Sequence, residues 1–143
     1  MLLPDLNVLV FAHRSESPEH TRYAQWLRDL AVGPAPYAVS ELGLSGFVRV
    51  VTNPKIWGSP TSIADALEFC ARLRGRSNAR PLCHGPASFR IFADLCIASR
   101  ARGKLVADAY HAALAIEHGC ELVTADADFA RFPKLRWRHP FAA

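Results

Sequence analysis

Apolar residues return along this chain with a helical period in some stretches and in short continuous runs in others. Tyr23, Trp26, Leu27 and Leu30 recur at i, i+3, i+4 and i+7, which predicts a helix from about Glu19 to Ala31. Leu44, Phe47, Val48 and Val51 form a second such face. Ser40 is placed to cap that helix and Asn53–Pro54 to stop it. Ile63, Leu67, Cys70 and Leu73 predict a third, capped by Thr61 or Ser62. From Ala87 to Ala101 the chain is apolar on more than one side (Phe89, Ile91, Phe92, Leu95, Cys96, Ile97). That pattern suits a helix buried on two faces, or one that also meets a partner subunit. Residues 108–118, DAYHAALAIEH, read as a small-residue helix opened by Asp108 and followed by Gly119 at a C-cap position.

Between these periods lie the strand candidates: Leu2–Leu3 ending at Asp5, Tyr37–Val39, a weaker Pro81–His84, Glu121–Thr124 and Leu135–Trp137. A short helix begins at Asn7. Strands alternating with helices predict an α/β fold whose parallel sheet is covered on both faces. In such sheets ligands gather beyond the carboxyl ends of the strands. Pro4 conflicts with a central first strand, because it removes a ladder donor, and fits only at the strand's end.

Composition narrows the class. The chain has 143 residues, half of them hydrophobic and 21% charged, with a formal charge of +4. A chain this long buries roughly 68–70% of its unfolded surface, enough for one core and a single domain spanning residues 1–143. No apolar run approaches the ~20 residues of a bilayer span, and the first apolar run has no basic region before it, contrary to a secretory signal. Cys70, Cys83, Cys96 and Cys120 share no zinc or redox-dithiol spacing. They read as free thiols in a reducing compartment, the cytoplasm. The mild excess of base points only weakly to an anionic partner.

The candidate chemistry is acidic. Asp5 follows the first strand, Glu41 the second, and Asp126 and Asp128 the fourth, while Asp108 opens the helix leading into that strand. Five carboxylates from distant parts of the chain are expected at one edge of the sheet, where they repel unless a cation neutralises them. An all-oxygen set without His or Cys spacing suits Mg²⁺ or Mn²⁺, and the chemistry implied is metal-assisted attack of water on a phosphodiester. Each residue also has a plainer reading as a helix cap, dipole partner or turn former.

In order along the chain, Asp5-Leu-Asn7-Val-Leu-Val, Ser40-Glu41, the Asp108 helix DAYHAALAIEHG and then LVTADADF resemble a PIN domain, more narrowly the VapC-type toxins of bacterial type II toxin–antitoxin pairs. The resemblance implies a sheet of order 3-2-1-4-5 and a Mg²⁺- or Mn²⁺-dependent endoribonuclease with one or two ions. It also implies a structured RNA substrate (tRNA or ribosomal RNA), a VapB-type antitoxin and a homodimer. Carried across, Asp5, Glu41, Asp108 and Asp126 match the family's acidic quartet, Asp128 an additional acid, and Asn7 and Thr124 the polar residues that support the carboxylates. Asp5 and Asp108 are then expected as direct ligands, Asp126 as a direct or water-mediated one. Glu41 is expected at a second ion or at the attacking water. Asn7 and Thr124 would fix carboxylate rotamers.

Further residues change the picture less. His111, three positions after Asp108, can share its helix side and act as proton shuttle or outer ligand, or simply pack. Basic residues fall into three groups: Arg72, Arg74, Arg76 and Arg80; Arg100, Arg102 and Lys104; Arg131, Lys134, Arg136 and Arg138. The second group, just before Asp108, is best placed to touch RNA phosphates. Trp57 is the candidate for stacking on a base or an antitoxin side chain, with core packing as its alternative. Other readings remain open: a PIN nuclease for RNA processing or DNA without toxin duty, and a non-catalytic RNA-binding or interaction module. A response-regulator receiver would need a paired acid after strand one and a Lys after strand five, neither of which is present.

Overall fold

The computed structural model describes residues 1–143. Five parallel strands, β1 (Leu2–Pro4), β2 (Tyr37–Ser40), β3 (Ala79–Leu82), β4 (Glu121–Val123) and β5 (Trp137–Arg138), form one sheet of order β3-β2-β1-β4-β5. Six helices cover it: α1 (Leu6–His13), α2 (His20–Val32), α3 (Glu41–Val51), α4 (Ile63–Arg74), α5 (Ser88–Ser99) and α6 (Lys104–Glu117). Side chains alternate across each strand, so Tyr37 and Val39 of β2 enter the core under α1–α4 while Ala38 enters the core under α5 and α6. Phe47 and Tyr37 anchor the first core and Phe129 the second, each burial worth roughly 1.5–3 kcal/mol. The Tyr37 hydroxyl donates to the Leu73 carbonyl at 2.6 Å, so its buried polar end is satisfied. No helix is long and apolar enough to cross a membrane.

Pro4 is the last residue of β1, opposite Val123 of β4, and the next donor, the Asp5 N–H, reaches the Val123 carbonyl at 2.9 Å. Successive backbone donors face opposite sides of a strand, so the missing Pro4 donor faces β2, where the recorded pairing is Leu2 with Tyr37. The register also explains the site: Asp5 and Thr124 are the residues that follow the Pro4–Val123 pair, and they leave the sheet side by side.

Three boundaries and two buried faces differ from the sequence reading. The third strand is Ala79–Leu82, not Pro81–His84, and Pro81 is tolerated because β3 is an edge. The fifth begins later, at Trp137. On α4 the inward face is Ala66, Cys70 and Leu73, while Ile63 and Leu67 are exposed. A small Ala lets the helix lie close, which a pattern of large apolar residues does not register. Helix α6 starts at Lys104, after Gly103 at φ 58°, so Asp108 lies in its second turn and caps nothing. Helix α5 buries one face only, leaving Phe89 72% and Ile97 79% exposed.

Candidate active site

Asp5 caps α1 and is almost fully buried at the end of β1. One carboxylate oxygen, Oδ1, accepts the Leu6 N–H at 2.7 Å and lies 3.2 Å from His111 Nδ1. The other, Oδ2, accepts Asn7 Nδ2 at 2.8 Å and the Thr124 hydroxyl at 2.7 Å. Oδ2 is thus met by two donors, while Oδ1 has one hydrogen bond and the longer His111 contact. The donors are themselves held: Thr124 Oγ1 accepts from Asn7 Nδ2 at 3.0 Å and from the Asp126 N–H at 3.1 Å, and Asn7 Oδ1 accepts the Ala125 N–H at 3.2 Å. Burial alone would raise the Asp5 pKa, but the His111 contact, the Thr124 bond and the Leu6 N–H outweigh it and hold the carboxyl below its ordinary range.

Across from it stand Asp108 on α6 and Asp126, the cap of a 3₁₀ turn over Ala127–Arg131. Lys104, one helical turn before Asp108, places its ammonium 3.0 Å from Asp108 Oδ2 and 2.7 Å from Asp126 Oδ2. Desolvation disfavours the charged lysine, yet the bonds to Asp126 and Asp108 raise its pKa well above the usual value. The Lys104 bond lowers the Asp126 pKa. Asp108 goes the other way: burial raises it, and the charges of Asp126 and Asp5 add to that despite Lys104. Three carboxylates thus feel one another, with a single ammonium shared by two of them.

The structure does not gather all five expected acids. Glu41, with its side chain 65% exposed, pairs with Arg74 at 3.3 Å, and Asp128 is exposed, its backbone N–H donating to Asp126 Oδ1 at 2.9 Å. No three Asp, Glu, His or Cys side chains stand close enough together to hold an ion in this arrangement. The physical reason is the repulsion noted above: Lys104 and Arg74 each pair with part of the acid. Lys104, expected among the RNA-contacting bases, is committed to the carboxylates, whereas Arg100 and Arg102 are exposed beside the start of α6. Trp57 is half-buried. Its Nε1–H donates to the Val50 carbonyl at 2.9 Å, and the Arg14 guanidinium lies 4.4 Å from the ring centroid, so one face is already covered. Sequence reasoning missed the Lys104 pairing, although its i, i+4 spacing to Asp108 was the available signal. It also missed the His111–Asp5 contact, which joins residues from opposite ends of the chain.

Such an arrangement, acids at the carboxyl edge of a 3-2-1-4-5 sheet, defines the PIN domain, and the profile of that family matches residues 2–135. Ribonuclease VapC43 of Mycobacterium tuberculosis is 41% identical over 140 residues, covering 98% of this chain and 95% of the relative. The chain belongs to the PIN-domain family of VapC ribonucleases. Two solved structures share the fold at low identity. One, VapBC2 from Rickettsia felis bound to a DNA fragment from their promoter, has a TM-score of 0.69 at 20% identity, covering 96% and 97% of the two chains. The other, M. tuberculosis VapC20, described as a sarcin–ricin loop cleaving toxin, has a TM-score of 0.68 at 16% identity, covering 95% and 99%.

Proposed function

We propose that this chain is a divalent-metal-dependent endoribonuclease that acts as the toxin of a toxin–antitoxin pair. The observation that carries the reading is the Lys104 ammonium seated between Asp108 and Asp126 beside the buried Asp5: the site already recruits a cation. The donor set is all carboxylate oxygen, which fits Mg²⁺ or Mn²⁺. Asp5, Asp108 and Asp126 would hold the first ion. Asp128 and Glu41 would serve a second, Glu41 after leaving Arg74. An ion there supplies Lewis-acid polarisation of the phosphodiester and activation of water. The chain itself fixes Asp5 through Asn7 and Thr124, keeps the site partly desolvated and neutralises excess acid with Lys104. Water attack leaves 5′-phosphate and 3′-hydroxyl ends.

A structured RNA, tRNA or ribosomal RNA, is the substrate we propose. The basic surface outside the acidic edge and the description of VapC20 support it. A VapB-type antitoxin is the proposed restraint, since a fold relative was solved as a VapBC pair. A homodimer through α5 is the proposed assembly: Phe89 and Ile97 are exposed there, and Arg90 and Asp94 on the same helix can pair reciprocally across a two-fold axis.

Two measurements test the reading. Mn²⁺ should raise the melting temperature of the wild type through ligand linkage, and Asp5→Asn should abolish the rise. RNA ends mapped after a brief pulse of expression should carry 5′-phosphates absent from an Asp108→Asn control. Cyclic-phosphate ends with full activity in EDTA would sink the mechanism. RNA binding with neither metal response nor cleavage would leave a non-catalytic module. Cleavage without growth arrest would leave a processing nuclease.

A further inference from the structure

A cavity of about 190 Å³ opens from the carboxylates between the start of α1, α3 and α6. Asp5, Asp108 and His111 line one side, and Gly43, Gly46 and Arg49 of α3 the other. It is smaller than the ~300–1,000 Å³ of typical small-molecule sites, so it suits one unit of a longer ligand. The glycines keep its wall low: a Cβ at Gly43 would stand 3.8 Å from His111 Cε1, and one at Gly46 would meet Leu6 Cδ2 at 3.0 Å. The cations around the acids are otherwise engaged, Lys104 by Asp108 and Asp126 and Arg74 by Glu41. Arg49, exposed in the last turn of α3, has no carboxylate partner. His111 adds a second sign of a ligand. Its side chain is only 6% exposed and its Nδ1 faces Asp5, yet its Nε2 is buried without a partner, one of five such side-chain atoms in the molecule.

We propose that this cavity seats the RNA backbone beside the scissile bond and that Arg49 clamps the neighbouring phosphate. The assignment rests on the nuclease reading above. An RNA strand laid over Asp5 and Asp108 brings further phosphates toward like charge, and the strand stays only if a cation meets the next one. A guanidinium answers phosphate with a planar fork of donors. The favourable effect of any cation on the C-terminal end of α3 is a separate matter, acts on stability alone and is shared by lysine.

The test uses the full chain carrying Asp108→Asn, so that RNA is bound and not cut, with a short fluorescein-labelled single-stranded RNA of mixed sequence read by anisotropy. Adding Arg49→Ala should weaken binding roughly tenfold, the size of one charge-assisted bond. It should also make the log–log salt dependence shallower by about 0.7, one phosphate contact on a single strand. Arg49→Lys should restore that slope, which counts charges, without restoring the full affinity, which needs the fork. Melting temperature should hold in Arg49→Lys, which keeps the cation at the end of α3, and fall by at most a few degrees in Arg49→Ala, which loses it. Unchanged affinity and slope in Arg49→Ala, with the parent binding RNA, overturn the clamp and leave the nuclease standing. A wild type that neither binds nor cleaves RNA overturns the nuclease reading first, and the clamp with it.

Discussion

Asp5 sits where donors from three separated segments converge on its two oxygens, whereas Asp108, on the helix opposite, has one side-chain partner, an ammonium on a lysine side chain that is 70% exposed. The Asp5 half is fixed by groups that cannot leave without exposing buried polar atoms, at about 1–3 kcal/mol each. The Asp108–Asp126 half is held by an exposed ion pair, a class worth about 0–1 kcal/mol. A site that must exchange a cation needs this division, because one wall has to stay in place while the other gives up its neutralising charge. The pKa directions tell the same story, with Asp5 stabilised as a carboxylate by the fold and Asp108 penalised for being one.

Replacing each acid by its amide should separate the halves most strongly. Asp5→Asn turns one oxygen into a donor facing donors, and should lower unfolding free energy by roughly 3 kcal/mol, the scale of breaking a buried charged partner. Asp108→Asn removes a penalised charge and should leave stability in metal-free buffer unchanged within about 0.5 kcal/mol or slightly higher. Both should abolish metal-dependent cleavage. Urea unfolding of the two variants without metal decides the matter; equal destabilisation would break the comparison. The difference should also follow pH with a definite sign. A raised folded-state pKa means that the penalty on Asp108 sets in as pH climbs past the ordinary carboxylate value and is complete only above the folded pKa. Any gain of Asp108→Asn should therefore vanish well below the ordinary carboxylate value of about 3.9. Asp5 is the reverse: its depressed pKa contributes stability above that value, lost as pH falls through the folded pKa.

Thr124→Val sharpens the first half from a different side. The shape is kept, but Asp5 loses a donor at 2.7 Å, and Asn7 and the Asp126 N–H lose their acceptor. A cost of about 1–3 kcal/mol is expected from these unsatisfied buried groups, read as a lower urea midpoint at unchanged m-value. A loss under half a kilocalorie would mean that water takes over the hydroxyl's place and that the cradle is not what fixes Asp5.

The two halves also differed in how far the sequence revealed them. Asp5 was legible because an acid at the end of a short apolar run, next to a proline that can only end a strand, has few structural excuses. Thr124 and Asn7 were legible through their motifs. Sheet order was not read from periodicity at all; it came with the family resemblance and is matched strand for strand. The Asp108 half was misread because the start of α6 depends on Gly103 adopting a positive φ, and a helix one turn longer moves Asp108 away from the cap and brings Lys104 into reach. Glu41 was placed correctly in the first turn of α3, but its exposed side chain answers to Arg74, a residue 33 positions away that no local pattern could nominate. The outward turn of Phe89 and Ile97 on α5 removes burial on two faces, the first of the two alternatives that the apolar excess allowed.

Lys104→Met is a small perturbation of stability and the most direct test of exchange. Methionine keeps the unbranched stem and its helix propensity while deleting the ammonium. Without metal, Asp108 and Asp126 then face each other unneutralised, and an exposed pair of this kind should cost no more than about 1 kcal/mol. With Mn²⁺ the balance reverses, because an ion entering the wild type must first displace the ammonium and in the variant it need not. The melting temperature of Lys104→Met should start slightly below the wild type, rise further at each subsaturating Mn²⁺ concentration, and show the tighter apparent Kd when the shifts are fitted by linkage. Dilute Mn²⁺ that stabilises the variant less than the wild type would show that Lys104 works alongside the ion instead of standing in its place, and the Asp108 half would then be as fixed as the Asp5 half.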